Sequence, residues 1–130
     1  MLVIEPAGNL WGSERALLDL LDGLNARDIG VCLPPRTQLE AELRRRNVKV
    51  YPYLLPDLHR RPRWRRAQAA LAVLRACVEH RPELLYLNQA GIFRVAKPAA
   101  DLLRLGIVAH ARIFEDASYL DRCAPSSRLR

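Results

Sequence analysis

This chain alternates short apolar runs with longer segments of helical periodicity, and that order constrains its fold more than any other feature. The apolar runs have the length and the closing residues of buried strands, and they cover residues 2–4, 29–33, 48–54, 84–87 and 107–111. Strands that alternate with helices pair in parallel through right-handed crossovers. The sequence therefore predicts a three-layer, Rossmann-like α/β domain, with helices on both faces of a parallel sheet of strand order 3-2-1-4-5.

Capping signals predict where the first two helices begin. Ser13 is the expected N-cap of a helix over residues 13–25, and Glu14 lies in its first turn, where a negative charge suits the helix dipole. The segment from Thr37 to Glu40 has the spacing of a capping box and is expected to open the second helix.

Proline and glycine punctuate the rest of the chain. Pro52 lies inside the third apolar run and predicts an edge strand. Pro98 lies inside the fourth helical segment, residues 92–105, and is expected to kink or restart that helix. Gly106 is its expected C-cap residue. The third helix is predicted to present one apolar face, made of Trp64, Ala67, Leu71, Leu74 and Val78.

Length and composition fit one cytoplasmic domain. The chain has 130 residues, half of them hydrophobic, and no apolar run approaches the ~20 residues that cross a bilayer. Its first residues lack the basic start of a signal peptide. The three cysteines, Cys32, Cys77 and Cys123, lie far apart without CxxC spacing, so we expect free, mostly buried thiols and neither metal site nor cofactor.

A basic segment suggests an anionic partner. The formal net charge is +7, and arginine carries nearly all of the positive charge. Arginines around an aromatic anchor suit an anionic membrane surface, and nucleic acid ranks lower because one tryptophan makes a poor stacking platform. A solvated loop whose tryptophan packs under the third helix remains the alternative. The candidate surface residues are Arg60, Arg61, Arg63, Trp64, Arg65 and Arg66.

The turn after the first strand has the physics of an anion-binding turn. Gly8 and Gly12 allow close approach to the backbone, and a helix with unpaired N–H groups begins directly after them. The spacing is neither the GxGxxG of dinucleotide sites nor a P-loop, because no lysine precedes Ser13. A tight turn without any ligand remains the alternative.

Three segments are expected to meet where the strand order reverses, which is where open α/β sheets bind ligands. They are residues 8–14, the loop that begins at Asn88, and the end of the fifth strand around His110. The predicted substrate- or phosphate-binding residues are Gly8, Gly12, Ser13, Glu14 and Asn88.

Three motifs in the expected order resemble a known family. They are EPAGNLWGSERALL over residues 5–18, PELLYLN over residues 82–88 and GIVAHAR over residues 106–112. The set is similar to the N-terminal domain of nucleotide-sugar glycosyltransferases of the GT-B architecture, in the group 1, family 4-like class. Trp11 departs from the pattern, since the family often has a second small residue there.

The resemblance implies a role on the acceptor side of a two-domain enzyme. It implies that Gly12, Ser13 and Glu14 face a donor diphosphate or acceptor, and that His110 approaches the transferred sugar as the catalytic residue. The partners would be a nucleotide-sugar, held mainly by a second domain, and a glycan or lipid-linked acceptor of the cell envelope, with possible peripheral contact at the inner face of the membrane. Nothing here resembles that second domain, so we expect the chain to be inactive alone, as a truncated reading frame or half of a split enzyme.

Other functions stay open at this point. A non-catalytic Rossmann-like module for a phosphorylated ligand is the first alternative, and a nucleic-acid-binding protein is the second. A response-regulator domain shares the sheet order, but it needs clustered acids after the first strand, and only Glu5 stands there.

Overall fold

The computed structural model describes residues 1–24, 28–54, 63–112 and 114–123. Five parallel strands form one sheet in the order β3-β2-β1-β4-β5, as predicted. The strands are β1 (Leu2–Ile4), β2 (Gly30–Leu33), β3 (Lys49–Pro52), β4 (Leu84–Leu87) and β5 (Gly106–Ala109). The helices are α1 (Gly12–Gly23), α2 (Gln38–Arg45), α3 (Arg63–His80), α4 (Phe93–Leu103) and α5 (Phe114–Cys123), and a 3-10 turn, Ala90–Ile92, precedes α4.

The helices cover the two faces of the sheet with separate apolar cores. On one face, α1 and α2 pack Leu17 and Leu39 against strand residues such as Val3. On the other face, α3 and α4 pack Val73 and Ala96 against the sheet. Alternate strand residues supply the two cores, because successive side chains of a strand point to opposite faces. The expected Rossmann-like, three-layer α/β fold is confirmed.

The second helix and the edge strand follow the sequence signals. Thr37 is the N-cap of α2, and its hydroxyl accepts a hydrogen bond from the Glu40 N–H at 3.2 Å. This bond satisfies one of the unpaired N–H groups of the first turn. Pro52 ends β3, which lies at the edge of the sheet, where a residue without an N–H breaks no ladder.

Two predicted helix boundaries are wrong, and one of the two outcomes expected at Pro98 is excluded. The N-cap of α1 is Trp11 rather than Ser13, because the Glu14 carboxylate accepts the Trp11 N–H at 3.1 Å and starts the helix earlier. The C-cap of α4 is Arg104, in the left-handed region with φ 56°, whereas Gly106 is already the first residue of β5. The fourth helix does not restart at Pro98, which lies inside α4.

The apolar face assigned to the third helix is also wrong. Trp64, Leu71 and Val78 are 54%, 47% and 59% exposed. The buried residues of α3 are smaller, namely Ala69, Val73, Ala76 and Cys77. Small side chains let α3 lie close to α4, which turns the residues Ala96, Ala99 and Ala100 toward the same core. Of the predicted face, Leu74 packs partly against the core, whereas the other four residues are exposed.

The cysteines behave as expected within the described ranges. Cys32 and Cys77 are buried, Cys123 is half-buried, and all three are free thiols. Among the helices of the described residues, none has both the length and the apolar character needed to cross a membrane.

Candidate functional site

The three segments singled out in the sequence meet at the carboxyl edge of the sheet. The strand order reverses between the neighbours β1 and β4, the position where open α/β sheets bind ligands. Asn88, directly after β4, donates from Nδ2 to the Ser13 carbonyl of the first turn at 3.3 Å. Arg112, beyond β5, donates from Nη2 to the Asn88 Oδ1 at 2.7 Å. A continuous polar cluster therefore joins the ends of β1, β4 and β5.

Glu5 lies at the centre of this cluster. It directly follows β1 and is fully buried. Its Oε1 accepts the Ala7 N–H at 2.9 Å, and its Oε2 accepts the Asn88 side-chain amide. Burial raises the pKa of Glu5 to about 7, and the nearby Glu14 carboxylate also raises it, against the hydrogen bonds and the Arg112 charge. Glu5 therefore changes charge close to neutral pH.

Glu14 is a second buried carboxylate, in the first turn of α1. Its Oε2 accepts the Trp11 N–H at 3.1 Å and the Ser13 hydroxyl at 2.8 Å. Its Oε1 is also buried and has no hydrogen-bond partner among the described residues. A buried acceptor without a donor is costly, so such an atom in a native fold indicates a water or ligand contact.

The two glycines of the turn have different surroundings. A Cβ on Gly8 would clash with the Thr37 side chain, and the Gly8 carbonyl accepts the Leu39 N–H at 3.1 Å. Gly8 thus lets the start of α2 approach the turn. A Cβ on Gly12 would meet nothing within 4 Å. Gly12 is therefore the glycine whose backbone a ligand can approach.

The turn at the start of α1 already holds a negative charge, unlike a turn that is free to bind an anion. The Glu14 carboxylate already occupies N–H and hydroxyl donors at the start of α1. A negative side chain at a helix N-terminus offsets the positive end of the dipole, which would otherwise attract a phosphate. The arrangement favours ligand groups that donate hydrogen bonds, and the assignment of Gly8, Gly12, Ser13, Glu14 and Asn88 to substrate or phosphate binding stays a prediction.

Asn88 and Arg112 form the bridge of the cluster. Asn88 is only 2% exposed, and its backbone N–H donates to the Ile4 carbonyl at 3.1 Å. Arg112 donates from Nε to the Asn88 carbonyl at 3.1 Å and from Nη2 to the Ser13 carbonyl at 3.5 Å. Sequence reasoning included Asn88 but missed Glu5 and Arg112 as site residues. The signal that could have found Glu5 is an acid placed directly after a buried strand.

His110 lies at the exposed rim of the cluster. Its backbone N–H donates to the Leu87 carbonyl at 2.9 Å, which continues the pairing of β4 and β5. Its ring Nδ1 lies 3.2 Å from the Tyr86 hydroxyl, so Tyr86 orients the imidazole. Tyr86 was not singled out in the sequence, and the catalytic role of His110 stays a prediction.

The basic segment is described only in part. Arg60 and Arg61 lie outside the described residues. Arg63 and Trp64, the first residues of α3, are exposed, and the Arg65 guanidinium lies 5.1 Å from the centre of the Trp64 ring. Arg65 and Arg66 are half-buried. Trp64 is thus at the surface rather than packed under the helix.

Two further features of the described residues bear on where a ligand or metal ion can bind. The described residues hold no cluster of three or more His, Cys, Asp or Glu side chains that could bind a metal ion. A groove of about 490 Å³ lies between α4 and α5, and its lining includes Arg94, Lys97, Asp101 and Arg122.

Comparison with known proteins places the fold. No protein-family model matches the chain, and no curated protein sequence matches it. HepE from Anabaena, solved in complex with UDP-glucose, superposes with a TM-score of 0.65 at 21% identity, over 84% of this chain and 28% of that protein. The same protein in complex with UDP and glucose gives a TM-score of 0.66 at 18% identity, over 91% and 31%.

A second glycosyltransferase has the same fold. MurG from Acinetobacter baumannii superposes with a TM-score of 0.67 at 15% identity, over 95% of this chain and 39% of that protein. The chain thus spans between about a quarter and two fifths of these larger proteins. The chain has the Rossmann-like fold of one domain of GT-B glycosyltransferases such as HepE and MurG.

Proposed function

We propose that this chain is the N-terminal, acceptor-side domain of a GT-B glycosyltransferase that moves a sugar from a nucleotide-sugar to a glycan or lipid-linked acceptor. The fold supports this function, since HepE has been solved with UDP-glucose. The observation that carries the proposal is the cluster of Glu5, Glu14, Asn88 and Arg112 at the point where the strand order reverses. Transfer itself requires a second domain, so the chain alone is inactive.

The cluster suits a ligand rich in hydroxyl groups. Glu14 is fully buried, so its Oε1, which has no partner among the described residues, would accept a hydrogen bond from a buried water that bridges to a ligand hydroxyl. Gly12 is open on the same turn, so a ligand can reach the backbone there. Carboxylates bind sugar hydroxyls by charge-assisted hydrogen bonds, which are stronger than neutral ones.

His110 is the proposed catalytic residue of this domain. Its ring is exposed at the rim and is oriented by the Tyr86 hydroxyl. A histidine in that place can bind a sugar hydroxyl or stabilise the charge that develops during transfer. The raised pKa of Glu5 also favours the carboxyl edge as the functional one, because a carboxyl group with a pKa of about 7 is typical of sites where chemistry or binding occurs.

Calorimetric titration with UDP-glucose tests the proposal on the chain itself. Gly12→Val places a branched side chain at the open turn and is expected to weaken binding about tenfold or more, which corresponds to ~1.4 kcal/mol. Gly23→Val is the matched control, since Gly23 lies at the other end of α1 and also has nothing within 4 Å of its Cβ position. Equal effects of Gly12→Val and Gly23→Val on UDP-glucose binding would contradict the proposal.

A peripheral contact with anionic membranes on the cytoplasmic side is the second function that we propose. It is favoured by the exposed pair Arg63 and Trp64 at the start of α3 and by the Arg65 guanidinium over the Trp64 ring. Each basic residue near an anionic surface contributes about 1 kcal/mol, and tryptophan favours the interface.

Vesicle sedimentation tests this contact. The chain is expected to bind vesicles that contain phosphatidylglycerol and not vesicles of phosphatidylcholine alone. Trp64→Ala should reduce the bound fraction, whereas Leu71→Ala, which removes another exposed apolar side chain from α3, should leave it unchanged. Equal binding to both vesicle types would count against an electrostatic membrane contact.

A further inference from the structure

Arg112 contacts all the segments that meet at the carboxyl edge. Its Nε and Nη2 donate to the backbone carbonyl and to the side-chain Oδ1 of Asn88, at 3.1 and 2.7 Å. The same Nη2 reaches the Ser13 carbonyl in the β1–α1 turn at 3.5 Å. Its backbone N–H donates to the Asp116 carboxylate at 2.9 Å, within the first turn of α5. One residue thus links β5, β4, the first turn and the next helix.

We propose that Arg112 is a positioning residue that latches the segment bearing His110 to the β1–α1 turn through Asn88. Its significance for sugar transfer rests on the proposed function, but the latch itself is a property of the free protein. His110 lies two residues before Arg112, so the latch fixes the distance between the histidine and the Ser13–Glu14 side of the cluster.

The geometry requires arginine at this position. The two contacts to Asn88 use two N–H groups on one edge of the planar guanidinium, and Asn88 is held in place because it is buried and bonded to Glu5. Lysine offers a point charge on a flexible stem and cannot make both contacts with a fixed orientation. Arg112→Lys therefore separates the loss of geometry from the loss of charge.

The latch also acts on Glu5. Asn88 donates to Glu5 on one side and accepts from Arg112 on the other, so the charge of Arg112 is coupled to the buried carboxyl group. The Arg112 guanidinium lowers the pKa of Glu5 against the larger effect of burial. Removal of that charge should raise the pKa of Glu5 further, which a purely structural surface arginine would not do.

Nuclear magnetic resonance of the chain tests the proposal with two readouts. The first is hydrogen exchange at the His110 amide, which donates to the Leu87 carbonyl, and the second is the titration of the Glu5 carboxyl carbon. Arg112→Ala is expected to speed exchange at His110 about tenfold and to shift the Glu5 titration to higher pH. Arg112→Lys is expected to speed exchange similarly while keeping the Glu5 titration close to its original pH.

Arg75→Ala is the control, because Arg75 is an exposed arginine in the middle of α3 and its loss removes the same charge. The latch would be overturned if both Arg112 variants gave the same His110 exchange rate and the same Glu5 titration as Arg75→Ala. These readouts need no ligand. A failed latch therefore leaves UDP-glucose binding to be judged by its own titration, and absent UDP-glucose binding leaves the latch standing.

Discussion

The two edges of the sheet use similar residues in opposite ways. At the amino edge, the His80 Nε2 lies 3.0 Å from the Met1 carbonyl, and its Nδ1 lies 3.2 Å from the Tyr51 hydroxyl. These two contacts use both ring nitrogens, so neither nitrogen of His80 is left without a partner. Gly30 lies directly beside that pair, where an added Cβ would come within 2.9 Å of the His80 Nδ1. The amino edge is thus closed by its own contacts.

The carboxyl edge is not closed in this way. Glu5 is buried with a pKa of about 7, and the Glu14 Oε1 has no partner among the described residues. His110 is exposed there, whereas His80 is half-buried at the other edge. The comparison teaches that residue type does not identify the functional edge. The functional edge is identified instead by whether each buried polar group has its hydrogen-bond partners.

The largest expected effect is the pH dependence of stability that the burial of Glu5 produces. Its pKa is raised to about 7 from 4.5, so the folded state keeps a proton that the unfolded state has released. Stability therefore falls as pH rises from about 4.5 to about 7 and then levels off, by on the order of 3 kcal/mol. Urea unfolding of Glu5→Gln at pH 5 and pH 8 should show most of that pH dependence removed.

Glu79→Gln is the control for this experiment. Glu79 lies near the amino edge with its side chain 65% exposed, so its loss should leave the pH dependence of unfolding unchanged. If Glu5→Gln keeps the full pH dependence of the unchanged chain, Glu5 is not the buried acid described here.

A second prediction compares one glycine from each edge. Gly30→Ala would put a Cβ 2.8 Å from the Tyr51 Cε2, and we expect it to lower the free energy of unfolding by about 2 kcal/mol. Gly12→Ala meets nothing within 4 Å and lies at the start of α1, so stability should stay equal or increase by up to ~1 kcal/mol. Urea unfolding of both variants measures the difference. A destabilised Gly12→Ala would show that the turn at the carboxyl edge is already filled.

The smallest expected changes in stability come from removing each of the two histidines. His80→Ala removes two hydrogen bonds and should cost about 1 kcal/mol of stability without changing UDP-glucose binding. His110→Ala removes an exposed ring and should cost about 0.5 kcal/mol or less, while it weakens UDP-glucose binding. Thermal unfolding and calorimetry on the same samples check both statements. If His80→Ala weakened UDP-glucose binding and His110→Ala did not, the amino edge rather than the carboxyl edge would be the functional one.

The sequence predicted the sheet well because the strand signals are local. The apolar runs and the helices between them define parallel crossovers, and few sheet orders satisfy those connections. The orientation of α3 could not be predicted in this way, since α3 packs against the core through small residues such as Ala69 and Ala76 rather than through its largest apolar residues.

The candidate site was predicted in position but not in chemistry. The glycines and the helix start predicted an anion-binding turn. The sequence does not show that the Glu14 carboxylate folds back onto the N-terminus of its own helix, where it already accepts hydrogen bonds. Arg112 was missed because its partners lie 24 and 99 residues away along the chain. Contacts of that separation exist only once the sheet has assembled.

The amide spectrum of the chain during titration with UDP-glucose tests the central claim most directly. We predict that the shifted amides cluster at residues 8–14, 88–91 and 110–112, at the carboxyl edge, and that the amides around Gly30 and His80 do not move. Shifts confined to the amino edge or to the groove between α4 and α5 would contradict the assignment of the carboxyl edge as the functional one.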